Sequence, residues 1–598
     1  MLSPLPGVTI HQLSTPVHQE AFTYWLAEQE SVAIDTETTG LAYWDKVRIV
    51  QIGTSSDVWV MAAEDAAEPI RQCLAGNHKL IFHNAPFDIP HLVRLVAQEN
   101  PETVKRVMRN VDDTMVMSQL YDVRSAEDGG TGHGLKALCA HWLGEDSLDS
   151  KKALHLRFQE LGFKNQADGW ANIPAEDPAY LAYGAHDVAL THRLWETLKP
   201  ELAALDLDPL WDLEREVAAI TTSMTVKGVK VDLDAAYRAQ AQLREERSAA
   251  EREAALHGVK NVNSTKQIID VLQAAGIKLT VKTKKGNYQV DKKVLAKVDH
   301  PAVSAIMRAK EAGKALTSWV NPIIAHAEID GRVHAKIKAN EAKTGRMSVS
   351  SPPLQQLPKN DWRIRACIIP DDNMQMASVD YANVEVRVMA YLANEPKLIQ
   401  AFVDGVDIHN SVAAQLYGND FTPDQRSMAK STVFGKVYGG GVPVLAATAG
   451  VSELEARKAS DKLGRAYPRL QRWSKNLIEK SRVTQKTVVT VTGRRLPIQR
   501  HHEYVITNHI TQSTAADLLK AALTIIEQKG LAHHVVMVIH DEFLIQAHAE
   551  QIEEVTEAIR TAMQTQLGEV PITADSEFCG SSWGEKYRPK VATNATTF

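Results

Sequence analysis

Residues 535–547, VVMVIHDEFLIQA, are two apolar runs with His540, Asp541 and Glu542 between them. Such runs read as paired strands, and the short polar insert reads as the tip of a hairpin. Such a polar tip is ordinarily just a turn. A second stretch, DQRSMAKSTVFGKVYG at 424–439, constrains the chain in a different way. Read as a helix, it sets Arg426, Lys430, Phe434 and Tyr438 every fourth residue along one slowly drifting face. Two cations followed by two aromatic rings match the order of a nucleoside triphosphate, phosphates first and then sugar and base. The plainer alternative is an amphipathic helix with an aromatic stripe in the core and solvated bases.

Earlier in the chain, SVAIDTETTG at 31–40 reads as a short buried strand running into a turn, with Asp35 and Glu37 two apart on one side. Like charges that close repel unless a divalent cation sits between them. An apolar strand and a helix start follow, with Asn84 and Asp88 four apart, and YLAYGAHDVALTHRLW puts Tyr183 and Asp187 four apart on a helix face. Each carboxylate alone is more often a cap or turn residue. MASVDYANVEVRVMAYLANE gives another strand ending in a carboxylate, Asp380, then a helix carrying Glu385 and Arg387.

At 598 residues, with 44% hydrophobic and 23% charged residues, the chain has room for several globular domains. Its net charge of -6 means that nucleic acid would have to be held by local basic surfaces. Four scattered cysteines with no CxxC pair suggest neither a zinc site nor a disulfide framework, and no apolar run is long enough to cross a membrane. A cytoplasmic protein is expected.

Taken together, these motifs resemble family A DNA polymerases that carry a 3'-5' proofreading exonuclease. The pattern R-x3-K-x3-F-G-x2-Y-G is similar to the family's fingers helix, the segments around Asp380 and Asp541 to its two palm carboxylate motifs, and the ordered trio DxE, Nx3D, Yx3D to the three exonuclease motifs. The resemblance implies an α/β and α+β multidomain fold: a ribonuclease H-like exonuclease domain at 1–200, then a right-hand polymerase with thumb at 201–330, palm at 331–400 and 508–598, and fingers at 401–507. It implies two Mg2+ ions per active site, with Mn2+ as a substitute, on Asp380 and Asp541 for synthesis and on Asp35, Glu37, Asp88 and Asp187 for proofreading. Tyr183 would orient the attacking water, and Asp113 is read as structural. Arg426, Lys430, Phe434, Tyr438, His409 and the steric gate Glu385 would meet the incoming dNTP.

Primer/template DNA would be met by Ser264 and Lys266 in NVNSTKQIIDVLQAAGI, by Arg346 in AKTGRMSVSS, by Arg494 and Arg495 in a hairpin, by Asn508 and Gln512 on a helix, and by His540. Lys282, Lys284, Lys285, Lys292 and Lys293 form a lysine-rich loop suited to a DNA backbone, or simply to solvent. Residues 201–328 are expected to form long exposed helices. Departures from the family pattern are Ala382, Asn383, Val384 and Val386 around the first palm motif, and Tyr504 where an Arg is common. The thumb looks too short for a thioredoxin-binding insertion, so that partner is not expected. Because the sequence opens almost directly on the exonuclease-like segment, no 5' nuclease domain is expected. The layout is that of the large fragment of bacterial DNA polymerase I or of a compact phage replicative enzyme.

Overall fold

The structure is a computed structural model and describes residues 7–144, 148–283, 286–437, 442–484, 487–498 and 502–589. Tyr438, Lys284 and Lys285 lie outside the described residues. The first third of the chain builds a six-stranded mixed sheet. Its middle strands, Ser31–Thr38 and Val47–Gly53, are antiparallel, and Lys79–Phe82 and Val111–Asp113 extend the sheet in parallel. Ser31–Thr38 is interior, so its apolar residues Val32, Ala33 and Ile34 are buried, while Asp35 and Glu37 close the strand. The 27-residue helix Pro178–Ala204 lies across the sheet, started by Pro178 and capped by Asp177, which accepts from Ala179 N at 3.0 Å. A β-carbon at Gly184 would run into the Gln51 amide on the sheet, so glycine sets how closely this helix approaches.

The second sheet is antiparallel and four-stranded, in the order Val535–Ile539, Glu542–His548, Met374–Tyr381, Ala574–Gly580. Val538, Phe543 and Val379 lie side by side across three of its strands, each 0% exposed. Burying side chains of this kind contributes about 1.5–3 kcal/mol each, and fixes the register that the polar tip depends on. The apolar hairpin with a charged tip is thus formed as the sequence predicts.

The helical segment differs from expectation. Leu233–Leu256 is largely solvent-facing, but Asp208–Lys227 is buried along most of its length, with Glu214 at 0% exposure. Helix propensity cannot distinguish these two states; the packing of Asp208–Lys227 on Pro101–Met108 and Ile506–Gln528 does. Beyond Ala250 a separate apolar cluster, including Ile268, Leu272, Leu295 and Ile306, forms a small second core. Among the described residues, no helix is long and apolar enough to cross a membrane.

Arg494 is the clearest correction to the sequence reading. The hairpin does form, pairing Val488–Val489 with Arg495–Leu496, but it turns Arg494 inward, to 4% exposure. There Arg494 donates to Asp517 (2.6 Å), to Asn340 (3.0 Å) and to Glu214, while Lys520 donates to Glu214 at 2.5 Å. Two buried carboxylates and two buried cations compensate each other, so Arg494 joins three segments rather than facing DNA. Removing one member of such a set leaves uncompensated charge in a low-dielectric interior. Arg494→Met should therefore cost about 3–5 kcal/mol in urea unfolding; a loss below about 1 kcal/mol would show the cluster to be dispensable.

Candidate active sites

In the first sheet, ligand atoms of Asp35, Glu37 and Asp187 lie within 4.8 Å of one another. The alternation of the strand brings the first two together, and the crossing helix delivers Asp187. Asp88 enters from helix Ala85–Leu95 and is 2% exposed; its Oδ1 accepts from Thr36 N (3.1 Å) and Thr36 Oγ1 (2.6 Å). Asn84, in the left-handed region at φ 80°, makes the turn from strand to helix. That turn is held by Asp113, which accepts from Asn84 N, Ala85 N and Met115 N at 2.8–2.9 Å, in keeping with a structural role.

Burial pushes the Asp35 carboxyl up to about 6, against the pull of Lys136. Burial raises Glu37 and Asp88 well above the carboxylate range, and neighbouring Asp35 adds to this in both. Lys136 was not singled out from the sequence. It ion-pairs with Asp187, lies 5.0 Å from the centre of the Tyr183 ring, and is itself pushed down to about 8 by burial. Its signal in the sequence is a lysine near the start of the mostly apolar helix Leu135–Trp142.

The second sheet brings Asp380 and Asp541 to one place, though they are far apart in sequence. Asp380 pairs directly with Glu542, and Tyr381 N donates to Asp541 O at 3.2 Å. His540 turns the hairpin tip with φ 55°. The Asp380 carboxyl is pushed up to about 7, first by burial and then by Glu542 and Asp541. Asn383, a departure from the family pattern, sits at φ 54° where the strand turns into helix Val384–Ala393. Asn tolerates that left-handed conformation better than most side chains. Arg346 donates to Glu385 (2.6 Å) and reaches both Asp541 oxygens (3.3 and 3.4 Å), so it bridges the two acids.

Helix Pro423–Val437 packs against Val384–Ala393 and Ile408–Tyr417. Its Arg426 donates to Asp407 at 3.0 Å and to Asn410; Lys430 is exposed. His409 is buried beside this helix, and burial followed by the Lys430 charge pushes its pKa down. Phe434 belongs to the helix. Asn508 and Gln512 are half-buried on Ile506–Gln528, Arg495 is half-buried, and Tyr504 is exposed. In the helical segment Ser264 caps helix Thr265–Ala274, accepting from Gln267 N at 3.3 Å, with Lys266 exposed in its first turn.

Both carboxylate sets offer only oxygen donors, the chemistry of a hard divalent cation. Without a cation, the raised Asp35 carboxyl stabilises the fold at low pH, and that contribution is lost as pH rises from about 4 through about 6. Asp35→Asn should accordingly raise the stability of EDTA-treated protein at pH 8 by on the order of 2 kcal/mol, with little change at pH 4. A thermal midpoint lowered at pH 8 would contradict the cost of burying the Asp35 charge.

The family model described as DNA polymerase family A matches residues 234–585, and one described as 3'-5' exonuclease matches residues 10–203. The chain is 30% identical to a DNA polymerase of Mycobacterium phage D29 and 31% identical to one of Mycobacterium phage L5, each alignment covering 97% of both chains. It is 27% identical to DNA polymerase I of Pseudomonas aeruginosa, over 95% of this chain and 65% of that one. The fold is similar to that of the POL domain of Pol1 from M. smegmatis, solved in complex with DNA primer-template and dNTP. That match has a TM-score of 0.75 and 22% identity, and covers 96% of this chain and 100% of the other. The chain belongs to the family A DNA polymerases and carries a 3'-5' exonuclease domain ahead of its polymerase domain.

Proposed function

We propose that the protein extends a DNA primer with dNTPs at Asp380 and Asp541 and trims mismatched 3' ends at Asp35, Glu37, Asp88 and Asp187. The observation that carries this reading is the paired register that sets Asp380 beside the Asp541 tip, separate from a second carboxylate set on another sheet. Divalent cations, Mg2+ or Mn2+, two at each site, would supply charge to activate the attacking oxygen and to stabilise the departing one. The chain's own groups do the rest. Arg426 and Lys430 would bind the triphosphate, Lys430 handing a proton to the departing pyrophosphate. Phe434 and Tyr438 would pack on the nucleotide, with His409 alongside, and Glu385 would crowd a ribose 2' hydroxyl.

Arg346 would exchange its carboxylate partners for the primer end, with His540 beside it. Ser264, Lys266, Arg495, Asn508 and Gln512 would hold the duplex. The capped, exposed helix start at Thr265 supports a phosphate contact there. At the exonuclease site Tyr183 would orient water. The reading divides the chain at about residues 200, 330, 400 and 507 into exonuclease, thumb, palm, fingers and palm. It places the enzyme in the cytoplasm, without thioredoxin as a partner.

A single-subunit RNA polymerase would share the two palm aspartates, but Glu385 and the attached exonuclease disfavour it, as the intact carboxylates disfavour a non-catalytic scaffold. A 5'-labelled primer with a mismatched 3' end on a longer template tests the reading. With Mg2+ it should shorten without dNTPs and reach full length with them. Asp35→Ala with Glu37→Ala should reduce shortening by at least about 1000-fold and leave extension of a matched primer within about two-fold. Equal loss of both activities, or efficient extension with rNTPs, would overturn it.

A further inference from the structure

The sheet face that carries Asp380 is crowded with acid. Side chains two apart on a strand, and those directly opposite across a ladder, share a face. On that rule Ser378 and Asp380 share a face with Glu542 on one neighbouring strand and with Asp575 and Glu577 on the other. Asp541 stands at its end. A carboxylate as near to Asp380 as Glu542 is an oxygen donor of the same kind as the two the reaction uses. Left unpaired, it would join them around a cation and change the number and geometry of ligands.

Lys586 answers this excess of charge. Its Nζ donates to Glu542 Oε1 and to Ser378 Oγ, both at 2.8 Å, and lies 3.7 Å from Glu577. The Lys586 and Glu542 side chains are 8% and 7% exposed, so the pair is shielded from solvent and its geometry is fixed. The short turn that carries Lys586 is anchored independently. Trp583 is fully buried and its N donates to Ile368 O at 3.0 Å; the Arg365 guanidinium stacks 4.0 Å from Trp583 and 4.4 Å from Tyr587. Arg365 is held in turn by the Leu357 and Pro358 carbonyls. The cation is therefore placed by the fold rather than drawn in by the acids.

We propose that Lys586 is a positioning residue for DNA synthesis: by pairing with Glu542 and donating to Ser378, it withholds Glu542 from the Asp380–Asp541 pair and leaves those two carboxylates as the cation site. The proposal rests on the reading of Asp380 and Asp541 given above. The test uses the full chain with Lys586→Met, Lys586→Arg and the double variant Lys586→Met/Glu542→Gln. Digestion of single-stranded DNA at the exonuclease site, on the other sheet, together with an unchanged thermal midpoint, reports that each variant is folded.

Lys586→Met should lower the single-turnover extension rate by about 10-fold or more, the size typical of lost support to a ligand set, with DNA affinity unchanged. With the exonuclease carboxylates replaced, its Mn2+ binding, read by electron paramagnetic resonance, should tighten or gain a ligand environment absent from wild type. Glu542→Gln added to Lys586→Met should restore much of the rate, and Lys586→Arg should keep most of it. Extension by Lys586→Met at the wild-type rate would overturn the proposal. So would a loss that Glu542→Gln does not restore while Mn2+ binding is unaltered, since that is the signature of a purely structural staple. Wild-type Mn2+ binding indifferent to Asp380→Asn would instead remove the cation site itself, and the proposal with it.

Discussion

Carboxylates driven together inside a folded protein are the constraint on which this structure turns. Two acidic side chains in contact cost little in water, but within a protein each raises the other's pKa and each resists burial. The chain builds two acidic clusters on two sheets, and burial raises the carboxyls of Asp35, Glu37 and Asp88 in one and of Asp380 in the other. These acids stand where a divalent cation would make them favourable.

The surrounding structure can be understood as the means of holding these acids in place. At three of the turns beside these carboxylates one residue takes the left-handed conformation: Asn84, Asn383 and His540. Backbone strain of about 1–3 kcal/mol at each is sustained because paired strands and buried helix starts over-determine the turn. Fixed cations are set against the acids from outside: Lys136 against Asp187, Arg346 between Glu385 and Asp541, and Lys586 against Glu542. Elsewhere, the buried Arg494 cluster ties the helix carrying Glu214 to the helix carrying Asp517.

Asp35, Asp380 and Asp541 were legible in the sequence because each stands at the end of an apolar run, whereas Asp88 and Asp187, inside helices, needed the motif spacing of the family. Asp35 with Glu37, and the polar tip at Asp541, needed only local pattern. The meeting of Asp380 with Asp541 needed the family resemblance, since no local rule pairs strands so distant. The compensating cations were not legible. Lys136 and Lys586 look like ordinary surface lysines until tertiary packing buries them, and Arg494 looks like a hairpin-tip cation available to DNA until Glu214 is found beside it. Glu214 was hidden by the same limit: in a helix rich in charged residues, sequence does not say which Glu points inward. Burial of charge is decided by long-range contacts, and these have no period to read.

Counting bound cations tests the central claim most directly. Mn2+ would be titrated into metal-free protein and followed by electron paramagnetic resonance for wild type, for Asp380→Asn, and for Asp35→Ala with Glu37→Ala. Two independent carboxylate centres predict that each substitution removes its own ions and leaves those of the other centre bound with unchanged affinity. Equal Mn2+ binding in all three proteins, or loss of every ion from a change at either sheet, would contradict the account.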